Sequence, residues 1–147
     1  MTTKIAIAGA KGRMGKNLIR SGLANPHTDV VGIFDISEIG QDFLDEIGLP
    51  HEIASTKESS FESADVIIDF TSPKALYSFT ESAVANKTGL VVGTTGLEEQ
   101  HFNLLKQTGK TTKIFYVPNM SFGVNSFFSI ARKAASYLKD FDIEIIE

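Results

Sequence analysis

At 147 residues, with 42% hydrophobic and 22% charged residues, the chain has the size and composition of one ordinary globular domain. Its net charge of −4 argues against a nucleic-acid or anionic-membrane surface and still allows a local basic site. It has no cysteine, which excludes disulfides, thiolate catalysis and cysteine-ligated zinc, and no apolar run approaches the roughly 20 residues of a membrane helix.

Met1 to Lys4 lead straight into an apolar run with no signal-peptide core, so a cytoplasmic protein is expected. The first strand is predicted over Lys4–Ala8. It enters the run Gly9-Ala10-Lys11-Gly12-Arg13-Met14-Gly15. A strand, a glycine-rich turn and a helix start together offer free backbone N–H groups and a positive dipole end, which suits a pyrophosphate. Gly9 permits the turn, Gly12 lets the backbone approach the phosphates, and Gly15 allows the helix to pack closely on the strand. The spacing G-x-x-G-x-x-G departs from the commoner G-x-G-x-x-G, so its meaning depends on the elements next along the chain.

Those elements are consistent with a dinucleotide-binding unit. Met14, Leu18, Ile19 and Leu23 mark a helix over Arg13–Leu23, ended by Asn25-Pro26. A second strand, Val30–Phe34, ends in Asp35, which lies 20 residues beyond Gly15. An acid at that distance accepts hydrogen bonds from the adenosine ribose in such units. The stretch from Ile36 to Ala64 is less regular, with a short helix near Gln41–Ile47 and a brief strand near His51–Ser55.

Further strands are predicted over Val66–Phe70, Gly89–Val92 and Lys113–Val117, with helices over Lys74–Ala85 and Glu98–Gln107. The nearly continuous apolar strand runs are those of a parallel sheet covered on both faces. After Asn119 the pattern changes. Val124, Phe127, Phe128, Ala131, Ala134, Ala135 and Leu138 form a helical stripe, with Asn119 or Ser121 as its cap. Asp142 to Glu147 then reads as one more strand, which needs a neighbour to pair with. The expected fold class is therefore α/β, a Rossmann-type doubly wound parallel sheet. The closing helix and strand cannot form a second domain by themselves: either they dock on this domain, or the protein is built to continue.

Three other strand ends carry small polar residues on the sheet edge that holds the glycine loop: Asp69-Phe70-Thr71-Ser72-Pro73, Gly93-Thr94-Thr95-Gly96, and Pro118 to Asn125. Ligands of open α/β sheets bind at that edge. The glycine loop, Val66 to Pro73, Gly93 to Gly96, Asn119-Met120-Ser121-Phe122-Gly123-Val124-Asn125 and Asp142 to Glu147 together resemble the 4-hydroxy-tetrahydrodipicolinate reductases, formerly dihydrodipicolinate reductases. The resemblance runs along the whole chain in order.

That resemblance implies a nicotinamide cofactor, NADH and/or NADPH, giving hydride to a cyclic imine-type small molecule in lysine and diaminopimelate biosynthesis. It divides the chain into a dinucleotide-binding domain over 1–120 and, over 121–147, the beginning of a second, α+β domain for substrate binding and tetramerisation, of which only the long helix and one strand are expected here. Gly9, Ala10, Lys11, Gly12, Arg13 and Met14 would wrap the pyrophosphate, and Asp35 would hold the adenosine ribose. Phe70 would line the cleft. Gly93, Thr94 and Thr95 would meet the nicotinamide half, Thr95 also reaching a substrate carboxylate. Val117, Pro118, Asn119 and Met120 would pass beside the ring, where Met120 offers a polarizable face. Asp35 would repel a 2′-phosphate, and Ile36 stands where many relatives carry a pairing Arg, which favours NADH. Lys11 and Arg13 keep use of both cofactors open.

The family pattern continues past Glu147 into the His and Lys assigned to proton donation and substrate binding, so no catalytic residue is expected in this chain. His27, His51 and His101 match no catalytic position and read as surface residues. No metal-ligand spacing occurs. Cofactor binding with little or no turnover is expected of these 147 residues alone, with a homotetramer for a full-length enzyme and no nucleic-acid or membrane partner. Two other readings are a stand-alone NAD(H)-binding module, and a dehydrogenase of the homoserine or aspartate-semialdehyde type, against which Gly93 to Gly96 and Asn119 to Asn125 argue.

Overall fold

The computed structural model describes residues 1–53, 55–144 and 146. A parallel sheet is built from β1 (Thr3–Ala8), β2 (Thr28–Phe34), β3 (Val66–Asp69), β4 (Gly89–Val92) and β5 (Ile114–Tyr116), in the order β2-β1-β3-β4-β5. After β1 the chain crosses to β2 on one side, then returns to β3 on the other. The gap between the ends of β1 and β3 is therefore the topological switch point, where open α/β sheets bind ligands.

Period-two alternation along the strands separates two apolar layers. Ile5 and Ile7 of β1 join Ile19 of helix α1 (Arg13–Ala24) and Phe43, Leu44 and Ile47 of α2 (Gln41–Ile47). Ala6 and Ala8 point the other way. They pack with Phe61 of α3 (Lys57–Glu62), Leu76, Phe79 and Ala83 of α4 (Pro73–Asn86), and Leu105 of α5 (Glu99–Thr108). The sheet is thus covered on both faces, as the strand runs anticipate.

Within the irregular stretch, α2 forms over Gln41–Ile47 as expected and is closed by Gly48 at φ 79°. Helix α3 is not evident from periodicity because it spans only six residues. It forms where Thr56 caps it, accepting from Ser59 N at 3.2 Å, and where Phe61 is fully buried. The Phe61 ring meets Phe79 edge-on at 5.4 Å and Phe34 at 6.2 Å, so tertiary burial makes this helix. The brief strand expected near His51–Ser55 is absent among the described residues. His51–Ile53 instead turn, with Ile53 N donating to Pro50 O at 3.1 Å, and Ala54 lies outside the described residues.

Helix α6 (Phe122–Tyr137) carries the expected stripe, and Ser121 is its cap, accepting from Val124 N at 3.3 Å. None of its residues is buried. The strand expected over Asp142–Glu147 is not seen: Asp142, Ile143, Glu144 and Ile146 belong to no strand. Ile145 and Glu147 lie outside the described residues. A strand exists only with a bonded neighbour, and β5 pairs with β4 alone. Among the described residues, no helix is long and apolar enough to cross a membrane.

Candidate functional site

Strand register sets the site. Ala8 lies opposite Phe34 and Asp69, Asp69 opposite Val92, and Val92 opposite Tyr116, making one row across the carboxyl edge of the sheet. The next residue on each strand is Gly9, Asp35, Phe70, Gly93 or Val117. All five are candidate site residues by sequence, and the fold brings them into one line.

The glycine loop is fastened to β2 by its backbone. Gly9 N and Ala10 N both donate to Phe34 O, at 2.8 and 3.0 Å. Gly9 has φ +80°, a conformation that disfavours any Cβ, and a Cβ there would also meet the Thr71 methyl at 3.0 Å. At Gly15 a Cβ would run into the carbonyl oxygen of Gly9 and the backbone of Ala10, so only glycine lets α1 sit this close to the turn. Helix α1 begins without a side-chain cap on Gly12 and without an acid in its first turn. Its leading amides are therefore left for an external acceptor, and the dipole favours an anion.

Asp35 has a second task that spacing does not reveal. Its Oδ2 accepts from Lys11 N at 2.9 Å, while its Oδ1 accepts from Ser37 N at 3.2 Å and Ser37 Oγ at 3.0 Å. The carboxylate braces the glycine loop and still has lone pairs for a ribose hydroxyl. Lys11 Nζ donates to Glu38 O at 3.0 Å, so this ammonium lies beside the end of β2. Ile36 is fully exposed next to it.

On the other side of the switch point, Asp69 is fully buried. Its Oδ1 accepts from Thr71 Oγ1 at 2.6 Å and Thr71 N at 2.9 Å, whereas Oδ2 has no hydrogen-bond partner. Thr71 N is shared with Thr94 Oγ1 at 3.1 Å. Burial pushes the Asp69 carboxyl above the ordinary carboxylate value, opposed by the hydrogen bonds from Thr71 and by the neighbouring Thr94 hydroxyl. The folded chain thus holds this proton more tightly than the unfolded chain does. The resulting stability is fully present below the unfolded-state value and is lost as pH rises through the raised one. Asp69→Asn is therefore expected to raise the thermal midpoint at pH 7 and to change it much less near the ordinary carboxylate range. Melting curves across pH that show an equal or lower midpoint at pH 7 would contradict a poorly paired buried charge.

Two clefts meet over Phe70 and Thr71. One, of about 470 Å³, is lined by Met14, Phe70, Thr71, Gly93, Thr94, Thr95 and the Pro118–Ser121 segment. The other, of about 390 Å³, is lined by Gly9, Gly12, Phe34, Asp35, Ile36 and one face of the start of α4. Gly93 has no Cβ, and the Phe70 ring fills the space a Cβ would take.

Most of the candidate residues read from the sequence fall in these linings, with four exceptions. Ala10 is buried behind the loop, and Lys11 and Arg13 are exposed beside it. Val117 extends the ladder instead, donating to Val92 O at 3.3 Å. Thr94 is only 3% exposed with its hydroxyl turned inward, while Thr95 faces solvent. Sequence reasoning misses Ser72, Ala75, Ser78 and Phe79, whose spacing along α4 puts them on one helix face toward the second cleft.

The histidines differ from expectation at one position. His27 is exposed, and His51 Nε2 lies 2.8 Å from Asp45 Oδ1. His101 is 6% exposed and is not a surface residue. Its Nδ1 accepts from Glu98 N at 3.0 Å in the capping box of α5, and its ring meets Tyr77 at 5.6 Å. None of the three lines either cleft. Among the described residues there is no group of three or more side chains suited to a metal ion.

A two-face-covered parallel sheet with an uncapped glycine-loop helix at its switch point defines a Rossmann-type nucleotide-binding protein. Residues 3–120 match the family model described as dihydrodipicolinate reductase, N-terminus, and the chain belongs to that family. The 4-hydroxy-tetrahydrodipicolinate reductase of Sulfurovum sp. is 34% identical over 145 residues, covering 99% of this chain and 55% of that protein. The enzyme of that name from Methanosarcina acetivorans is 38% identical over 151 residues, covering 97% of this chain and 57% of that protein. A dipicolinate-bound dihydrodipicolinate reductase from Paenisporosarcina sp. TG-14 shares the fold, with a TM-score of 0.71 and 24% identity over 94% of this chain and 55% of that one. The chain spans about half the length of the curated relatives it matches.

Proposed function

We propose that this chain is the cofactor-holding part of a 4-hydroxy-tetrahydrodipicolinate reductase acting in lysine and diaminopimelate biosynthesis. In this reading residues 1–120 hold NADH or NADPH and residues 121–147 begin the substrate-binding part of a cytoplasmic homotetramer. The observation that carries it is the single row of strand ends where the two clefts meet beside the uncapped start of α1. A bound nicotinamide supplies the hydride.

The chain's own residues bind and orient. The loop from Gly9 to Met14 wraps the pyrophosphate. The free amides of Arg13 and Met14 at the start of α1 receive it, with the Lys11 and Arg13 side chains beside them, and Asp35 receives the ribose hydroxyls. Phe70, Gly93, Thr94 and Thr95 flank the ring on one side, and Pro118 to Met120 pass on the other. Thr95, exposed at the mouth, reaches a substrate carboxylate. Among the described residues, the lining of the ring-side cleft contains no titratable side chain, which supports a proton donor from elsewhere in the full enzyme and little turnover by this stretch alone.

Titration with NADH, followed by nicotinamide fluorescence, tests the reading. Saturable binding in the ~1 μM to 1 mM range common for enzyme ligands, displaced by ADP-ribose, is expected. Absence of binding overturns it. NADH is expected to bind at least as tightly as NADPH, because Asp35 and the uncharged Ile36 oppose a 2′-phosphate. Ile36→Arg is expected to shift the ratio about tenfold toward NADPH, as one charge-assisted contact would. A large NADPH preference in the unmodified chain contradicts this assignment.

A further inference from the structure

Asp69 stands in the row of strand ends, yet the cofactor reading gives it no part in binding. It is a fully buried carboxylate with one oxygen unpartnered, a form that a folded core tolerates poorly without a reason. Its partnered oxygen acts as a clasp. Both polar hydrogens of Thr71, on Oγ1 at 2.6 Å and N at 2.9 Å, go to Oδ1. Thr71 N also reaches Thr94 Oγ1 at 3.1 Å, and Gly93 N donates to the Asp69 carbonyl at 2.9 Å. One residue therefore ties the loop after β3 to the loop after β4. Turning Thr94 inward in this way leaves Thr95 facing out at the cleft mouth.

We infer that Asp69 is a positioning residue for the ring-side cleft: through Thr71 and Thr94 it sets the loop that contacts a bound nicotinamide. The inference rests on the cofactor reading above. It assigns no contact between Asp69 and the ligand. Its acceptor oxygen is the working atom, so an asparagine, which keeps Oδ1, serves nearly as well, and an alanine does not. The adenosine-side cleft shares Phe70 and Thr71 but not Thr94, and the rest of its lining comes from the glycine loop, the end of β2 and α4, so it depends less on the clasp.

The test compares NADH with ADP-ribose, which lacks only the nicotinamide, in the 147-residue chain. Asp69→Ala is expected to weaken NADH about tenfold, as loss of one well-made hydrogen-bonded contact does, with ADP-ribose within about twofold. The emission of bound NADH is expected to move toward that of free NADH. Asp69→Asn is expected to restore wild-type affinity and emission. Thr94→Val, which removes the far end of the clasp and leaves the Asp69 carboxylate in place, is expected to reproduce the selective loss even if Asp69→Ala does not fold. Thr94→Ser, which keeps the hydroxyl, is expected to bind NADH nearly as the wild type does. NADH affinity unchanged in Thr94→Val, equal weakening of both ligands in either variant, or no rescue by asparagine overturns the inference. Failure of the wild-type chain to bind NADH at all removes the cofactor reading itself and the inference with it.

Discussion

Replacing Gly15 with alanine is expected to weaken NADH binding at least ~100-fold, as loss of two charge-assisted hydrogen bonds to the pyrophosphate would. The added methyl has no soft neighbour. It meets the carbonyl of Gly9 and the backbone of Ala10, so α1 must move away from the turn whose amides it presents. Overpacking against flexible side chains costs about 1–3 kcal/mol, and a clash with backbone belongs at or above the top of that range. Denaturant melts together with NADH titration check both effects. Near-normal affinity in Gly15→Ala would mean that the α1 amides do not hold the phosphates.

Gly93→Val is expected to have the next largest effect. The Phe70 ring lies where a Cβ at Gly93 would be, and Phe70 lines both clefts. A branched side chain there drives the ring into the cleft. NADH affinity is expected to fall roughly 10- to 100-fold, equal to about 1.4–2.8 kcal/mol, while the fold loses about 1–3 kcal/mol. The rescue variant Gly93→Val/Phe70→Ala, which vacates the space, is expected to recover part of the lost affinity. No loss in Gly93→Val, measured by fluorescence titration, would contradict the role given to the Phe70–Gly93 contact.

Much of this site is legible in the sequence because it is written in local signals. Gly9, Gly12 and Gly15 follow an apolar run, and Asp35, Phe70 and Gly93 each end another. Parallel pairing then aligns strand ends without further information. What spacing does not carry is the state of side chains that only tertiary packing decides. Asp69 sits in a plain strand-end motif, and its unpartnered oxygen arises from burial between β1 and β4. Asp35 reads as a ribose acid, yet its bond to Lys11 N depends on how the loop folds back on β2.

Other differences have the same origin. His101 reads as a helix-surface residue, but the capping box of α5 and the Tyr77 ring bury it. Helix α3 is too short for periodicity and is held by the Phe61 cluster. Val117 reads as a cleft residue, but its N–H continues the β4–β5 ladder. The expected terminal strand has the right composition, and its described residues have no partner strand.

The central claim is that one carboxyl-edge crevice of this sheet holds a whole nicotinamide dinucleotide. Amide chemical-shift mapping of the 147-residue chain during NADH titration tests it most directly. The expected result is a saturable set of shifts at the glycine loop, Asp35, Phe70–Thr71, Gly93–Thr95 and Asn119–Met120. The ring-side members of that set are expected to stay unchanged when ADP-ribose replaces NADH. Shifts confined to the opposite edge of the sheet, around Lys87 and Lys110, or no saturable shifts at all, would contradict the account.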